Sequence, residues 1–331
     1  MKIKKRIFNY KILPALILLN AGYANAACIQ NPNLNNVVVN VPARTYSLQY
    51  DDAGARDLAT IQVNFKSSRV NTYSGPMSNG KCGNAYLYAD YVNGWVPNGN
   101  KIAASNIPGI SIQVKATEIG FLNTRYGPPT ADNPAAWGIP NPYWTITIKK
   151  TGQVTQAGSL KSGLVGRLTQ RNPAPYNSTW NLTSLNIPAN AIKINVLRCS
   201  TKANSYNVNL GTWHDTQFSS IGSFSNSYNI PVTLSCAAGT NLKVTVTSSA
   251  GYVDTNTGKI KLSGQGQATG VAIQLLDRNS NPIKLNSKFT LQNNVANGDY
   301  NFNWKARYVK TANKITPGTA NSTATINIRY E

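Results

Sequence analysis

The final sixteen residues, 316–331, read T-P-G-T-A-N-S-T-A-T-I-N-I-R-Y-E. From there on every second residue is small or apolar: Gly318, Ala320, Ser322, Ala324, Ile326, Ile328 and Tyr330. Thr, Asn and Arg fill the positions between them. Side chains alternate across an extended chain, so this pattern predicts a half-buried β-strand, with Thr and Ile adding β propensity. A long apolar strand is an aggregation hazard unless something pairs with its edge. The pattern therefore predicts a partner for that edge.

The same short alternation recurs along the chain. Apolar or alternating runs fall at 37–41, 61–65, 85–92, 110–116, 144–148, 160–168 and 182–187. They continue at 206–210, 228–236, 242–246, 260–262, 271–276 and 298–309. Turn-forming clusters separate them, and long amphipathic helical patterns are absent. Many short strands at roughly ten-residue spacing predict an all-β protein of sandwich type. Pro188-Ala-Asn marks a turn, and 192–197 is a short alternating connector into Cys199, so the boundary between two domains is expected near 190–198. The longest stretch without strand character is 123–142, with five prolines and Trp137. Loops of that length are usually functional or disordered.

Residues 1–26 read as a secretory signal peptide. Lys2, Lys4, Lys5, Arg6 and Lys11 make a basic start, 12–19 is apolar, and Ala24-Asn25-Ala26 is a small-x-small cleavage site. The apolar run is too short to span a bilayer. The chain carries 32 Lys and Arg against 11 Asp and Glu. Without the five cations of the signal segment the balance is 27 against 11, or +16. These charges are spread over both halves, no lysine run exceeds two, and no helical nucleic-acid motif is visible. The reading is a basic exported surface that favours anionic partners, not a nucleic-acid binder.

Four cysteines in an exported chain predict two disulfides, for which three connectivities exist. Pairing Cys28 with Cys82 and Cys199 with Cys236 keeps each bond within one half. Each would close a loop worth ~3–4 kcal/mol in the chain-entropy model. No cofactor and no metal site is expected.

Residues 196–331 resemble the pilin domain of chaperone–usher fimbriae. Cys199 opens a strand and V-N-L-G follows at 208–211. S-Y-N-I-P-V-T-L-S-C ends at Cys236, D-T-N-T-G-K-I-K-L spans 254–262, and G-V-A-I-Q-L-L-D spans 270–277. G-D-Y-N-F-N-W-K-A-R-Y covers 298–308, and the closing strand carries a glycine fourteenth from the end, Gly318, and a penultimate tyrosine, Tyr330. The resemblance implies an immunoglobulin-like domain that lacks its last strand. A periplasmic chaperone lends that strand, an outer-membrane usher receives the complex, and an adjacent fimbrial subunit finally donates its own N-terminal strand. Gly318, Ala320, Ala324, Ile326, Ile328 and Tyr330 would line the accepting groove by β-augmentation. Cys28 is the second residue after the expected cleavage. The resemblance then implies a subunit that accepts a strand but has none to give, exported through the periplasm to the cell surface and placed at the fimbrial tip.

Residues 27–195 would be the receptor-binding domain of a two-domain tip adhesin, jelly-roll-like and specific for a host glycan or glycoprotein. N-I-P-G-I-S-I-Q-V at 106–114 resembles a strand common in such domains, and Q-A-G-S-L at 156–160 and C-G-N-A-Y at 82–86 are similar to segments of the mannose-binding adhesins of type 1 fimbriae. The sequence departs from that pattern at Ala27-Cys28, Ala85 and Leu168, so mannose specificity is not implied. The sole histidine, His214, lies in the other half, which excludes a three-histidine zinc site there and any Ser-His-Asp or Cys-His arrangement.

A sugar site needs a flat aromatic for the C–H face and a few planar polar groups. One candidate comprises Asn84, Tyr86, Asp90, Tyr91 and Trp95 with Gln170, Arg171, Asn172 and Tyr176. A rival lies on the Pro-rich loop, with Arg125, Tyr126, Trp137 and Tyr143. Tyr86, Tyr88 and Tyr91 also read as plain strand residues. The acids of this half are Asp51, Asp52, Asp57, Asp90, Glu118 and Asp132, and a glycosidase would need two of them facing each other. Asp51-Asp52 reads as a solvated turn. The expectation is a non-enzymatic adhesin. The alternatives are a structural adaptor without a glycan ligand and an exported carbohydrate-active enzyme.

Overall fold

The computed structural model describes residues 28–73, 82–127, 137–174 and 176–331. The signal segment expected at 1–26 lies outside the described residues. The chain is all-β and forms two sandwiches, as its alternation predicts. Helical structure among the described residues is limited to short 3-10 turns.

In the N-terminal half one five-stranded sheet runs Val37–Asn40, Ser178–Ile187, Gly163–Asn172, Tyr86–Tyr91, Thr124–Tyr126. The second runs Arg56–Asn64, Tyr143–Lys150, Ile110–Ala116, Ile102–Ala104, with Gly120–Phe121 added to Ile110–Ala116. Tyr143–Lys150 has a neighbour on each side. Its alternation buries Trp144, Ile146 and Ile148 completely. The Trp144 indole reaches Thr183 Oγ1 of the opposite sheet at 3.2 Å, so the one polar atom of that buried ring is satisfied. Lys150 ends the strand fully buried and donates from Nζ to Gly54 O at 2.6 Å, 3.4 Å from Asp52 Oδ1. A buried cation needs such partners, and here they tie down the turn at 51–54.

The C-terminal half has its own core, in which Phe302 and Trp304 stack edge to face at 4.9 Å. Three sheets enclose it: Cys199–Thr201, Thr233–Cys236, Gly298–Asn301; then Tyr228–Ile230, Trp304–Lys310, Val271–Leu276, Lys259–Ile260, Tyr252–Asp254; and Phe289–Gln292, Leu242–Thr247, Thr325–Arg329. Two of the runs expected as single strands are each divided between two sheets. The 228–236 run breaks at Pro231, which has no N–H to give a ladder. The 298–309 run breaks at Asn303, whose φ is +55°. The disulfides are Cys28–Cys82 and Cys199–Cys236, and the latter pair face each other directly across two strands.

The connector at 192–197 is a strand, Ile192–Leu197, parallel to Arg44–Gln49. It passes through Arg198 straight into Cys199–Thr201. The end of Arg44–Gln49 reaches across to the second half. Gln49 donates from Nε2 to Gly239 O at 2.8 Å and accepts at Oε1 from Asn241 N at 3.0 Å.

Candidate strand-accepting groove and receptor face

The C-terminal strand Thr325–Arg329 pairs only with Leu242–Thr247, and the order of its sheet makes it an edge. Ala320, Ile326, Ile328 and Tyr330 pack against the core of the second half but are only half-buried. Ala324 and Gly318 are exposed. The regular strand is shorter than the alternation at 318–330 suggests. Upstream the chain follows 263–269 through isolated bridges, Ser263↔Asn321, Gln267↔Thr319 and Thr269↔Thr316. Gly318 has a steric reason to be glycine, because a Cβ there would stand 2.5 Å from both Ala268 N and Gly266 O.

A second segment over the same core also lacks a partner. Residues 203–210 alternate Tyr206, Val208, Leu210 toward the core, with Tyr206 and Val208 half-buried. Among the described residues their backbone makes no hydrogen bond to other backbone. The Tyr330 hydroxyl donates to Cys199 O at 2.8 Å, tying the end of the C-terminal strand to Cys199–Thr201, the strand that precedes this segment. One extended segment with a ladder on one side only and one with no ladder thus flank a row of half-covered aliphatics, an edge open to pairing.

Asp51, expected in a solvated turn, closes one end of the open edge. Its N–H donates to Tyr330 O at 2.8 Å, and its Oδ2 accepts from Tyr330 N at 2.8 Å. Its Oδ1 lies 3.2 Å from the Arg329 guanidinium. The Asp51 side chain is only 11% exposed, which corrects the solvated-turn expectation. Burial, and next to it the negative charge of Asp51, pushes the Tyr330 hydroxyl pKa up.

In the first half the strand Tyr86–Tyr91 turns Leu87, Ala89 and Tyr91 inward and Tyr86, Tyr88 and Asp90 outward. Its neighbours set Arg171 opposite Tyr86, Thr169 opposite Tyr88 and Arg167 opposite Asp90. The Arg125 guanidinium lies 3.7 Å over the Tyr86 ring, and that of Arg171 3.9 Å over Tyr88. Such stacking holds a guanidinium flat with its N–H groups free along the edge. Burial pushes the Asp90 carboxyl up from its ordinary value, opposed by the nearby Arg171.

The structure separates the other sugar-site candidates from this face. Tyr91 is buried, donates to Lys101 O at 3.0 Å and accepts from Val114 N at 3.0 Å, and burial pushes its hydroxyl up to about 12. Trp95 is buried too. Gln170 and Asn172 are interior and joined by one hydrogen bond, Gln170 Nε2 donating to Asn172 Oδ1 at 2.7 Å, and Asn172 Nδ2 donates to Ser178 Oγ at 3.0 Å. Trp137 is half-buried, donates from its indole to Ala85 O at 3.1 Å and meets Tyr126 edge-on at 5.1 Å. Tyr126 alternates with Arg125, so that aromatic pair sits on the side of the strand away from Tyr86. Asn84 is half-buried and Tyr176 exposed. Asp132 lies outside the described residues. A separate open depression of about 470 Å³ is lined by Val96, Pro97, Asn98, Ile102, Ala104, Ser111 and Thr151. It is lined by no charged side chain, and the side-chain Oδ1 of Asn98 accepts from Asn100 N and Ile102 N.

Residues 193–331 match the family model described as fimbrial protein. The type-1 fimbrial protein A chain of Salmonella typhi is 31% identical over 137 residues, which cover 40% of this chain and 74% of that protein. The chain belongs to the fimbrial protein family. The type 1 fimbrial subunit of Salmonella typhimurium is 28% identical over 137 residues with the same coverage. Membership makes the chain a non-enzymatic component of an extracellular fimbrium. Among solved structures, the CupB6 tip adhesin from Pseudomonas aeruginosa is 16% identical, with a TM-score of 0.38 over 88% of this chain and 92% of that one. The receptor-binding domain of the adhesin MrkD1P of Klebsiella pneumoniae is 18% identical, with a TM-score of 0.40 over 53% of this chain and 98% of that one.

Within this fimbrial protein, two contributions escape a reading of the sequence. Arg125 belongs to the rival loop site by position, yet it stacks on Tyr86 of the first site, so parts of the two candidates meet. Only the pairing of Thr124–Tyr126 with Tyr86–Tyr91 brings them together. Asp51 carries no local signal at all, because its partners are 278 and 279 residues away.

Proposed function

We propose that this fimbrial protein is a tip adhesin of the chaperone–usher type. Residues 27–195 bind a host receptor through a glycan, and residues 196–331 are a pilin domain completed by a strand from another chain. The observation that carries the reading is the open edge of Thr325–Arg329, with half-buried Ile326, Ile328 and Tyr330 over the same core as the unpaired segment 203–210. An edge of this kind invites pairing in trans. In the periplasm the strand comes from a chaperone, and in the fibre from the adjacent subunit delivered at the usher.

A tip position is supported by the first sandwich itself. Residues from Cys28 onward are held in it by the Cys28–Cys82 disulfide and by the pairing of Val37–Asn40 with Ser178–Ile187. The receptor face is the outer surface of Tyr86, Tyr88, Asp90, Arg125 and Arg171. It offers tyrosine rings, one carboxylate and two flat guanidinium groups, a set suited to an acidic glycan.

The test co-expresses the full chain with the fimbrial chaperone and usher and probes the displayed fibres with an array of neutral and acidic glycans. Ile328→Arg puts a charge in the groove and is expected to abolish chaperone co-purification and surface display. Undiminished display of that variant would overturn the groove. Display of the wild type without binding to any glycan would favour the adaptor reading over the adhesin.

A further inference from the structure

In an antiparallel ladder, residues that exchange backbone hydrogen bonds alternate with residues that do not. The ladder between Leu242–Thr247 and the C-terminal strand ends on Lys243↔Arg329 at one end and Thr247↔Thr325 at the other. No backbone bond joins Leu242 to Tyr330 beyond the first pair or Ser248 to Ala324 beyond the second. Thr325, Asn327 and Arg329 are therefore the residues bonded to the ladder. The N–H and C=O groups of Ile326, Ile328 and Tyr330 point the other way, along the open edge.

Of these three, Tyr330 is already paired. Its N–H and its C=O are both taken by Asp51, through Oδ2 and the Asp51 N–H at 2.8 Å each. That two-bond pattern is the one a residue of a neighbouring strand would make. Asp51 is not free to swing away. Tyr50 N donates to Leu197 O at 3.0 Å, Gln153 Nε2 to Tyr50 O at 2.9 Å, and the buried Lys150 holds the turn at Gly54 O. Gln49 anchors the same stretch to Gly239 and Asn241 of the second half.

We propose that Asp51 is the end stop of the strand-accepting groove. The first sandwich supplies the last rung of the open edge, so an incoming strand pairs as far as Ile328 and ends there. The occupant is an extended segment of another chain with alternate apolar side chains, and Asp51 sets its register on 320–328. This rests on the reading of the groove as a strand acceptor, and the experiment separates the two.

Amide hydrogen exchange reads both. The full chain is refolded with and without a synthetic peptide of alternating valine and threonine long enough to span 318–330. With peptide, the Ile326 and Ile328 amides are expected to slow by at least about tenfold. The Tyr330 and Asp51 amides should be equally slow with and without it. In Asp51→Ala the Tyr330 amide should exchange fast alone and slow when the peptide takes the vacated rung. Asp51→Asn, which keeps an acceptor, should restore the wild-type pattern. If the Asp51 amide becomes fast when peptide binds the wild type, the peptide displaces Asp51 and the end stop is overturned. If Ile326 and Ile328 do not respond at all, the strand-accepting reading itself fails.

Discussion

Tyr143–Lys150 and Thr325–Arg329 are written in the same code. Both alternate, and both turn an aliphatic row toward a core. In the first, Trp144, Ile146 and Ile148 have no exposed surface, whereas in the second Ile326 and Ile328 are half-covered. The difference is the number of neighbours: the first strand is paired on both sides and faces a second sheet, and the second is paired on one side only. Alternation says which side chains share a face, but full burial needs strands to either side. The second sandwich keeps an open edge, and Asp51 of the first sandwich bonds to Tyr330 at the end of it.

The sharpest way to break this comparison is to truncate one residue in each strand. Trp144→Ala should cost about 3–5 kcal/mol in the N-terminal half, measured by denaturant unfolding, because it empties a closed core. Ile328→Ala should cost only about 1 kcal/mol in the uncomplemented chain and about 2–4 kcal/mol once a strand covers it. Equal costs with and without a complementing strand would mean that the edge is already closed.

A smaller effect is expected on the outer face of the closed sandwich. Arg125→Ala should leave stability within about 0.5 kcal/mol, since the residue is exposed. It should weaken binding to an acidic glycan by about tenfold, read by titration against displayed fibres, through loss of a stacked guanidinium. Loss of stability instead of binding would move Arg125 from the receptor face to the framework.

The smallest effect concerns the turn that carries Asp51. Burial raises the Asp52 carboxyl pKa, but hydrogen bonds from Arg56 and Gly54 and the charge of Lys150 outweigh it, and the net shift is downward. A depressed carboxyl contributes stability above its unfolded value and loses it as pH falls through the folded one. Asp52→Asn should therefore lower stability at neutral pH by about 0.5 kcal/mol after solvent screening. Thermal unfolding should find the variant and the wild type converging in acid. A constant gap at every pH would remove the ion pair from the account.

Much of the fold was legible because period two survives in any context. The strands Tyr86–Tyr91 and Tyr143–Lys150 lie where their alternation puts them. The proposed receptor face was legible only in part. Tyr86 and Asp90 share a face by alternation, while Tyr91, an odd number of places from Tyr86, falls on the other and enters the core. Gln170 and Asn172 look like ligand groups by residue type. They are interior, joined by one hydrogen bond from Gln170 Nε2 to Asn172 Oδ1, a pairing that polarity alone does not disclose. Residues 206–210 alternate like a strand but have no ladder, since alternation does not state whether a neighbour exists.

By itself the sequence determined an all-β chain, the directions of its side chains, four cysteines for two disulfides and the fimbrial signature that ends in Gly318 and Tyr330. Those properties are local, set by sterics within a few residues. Only the tertiary structure decided which backbone edge stays open, why Gly318 admits no side chain, and that Asp51 occupies the last rung at Tyr330. These depend on which segments meet across 279 residues of chain, and a hydrogen bond between two backbones leaves no mark on the residues that make it.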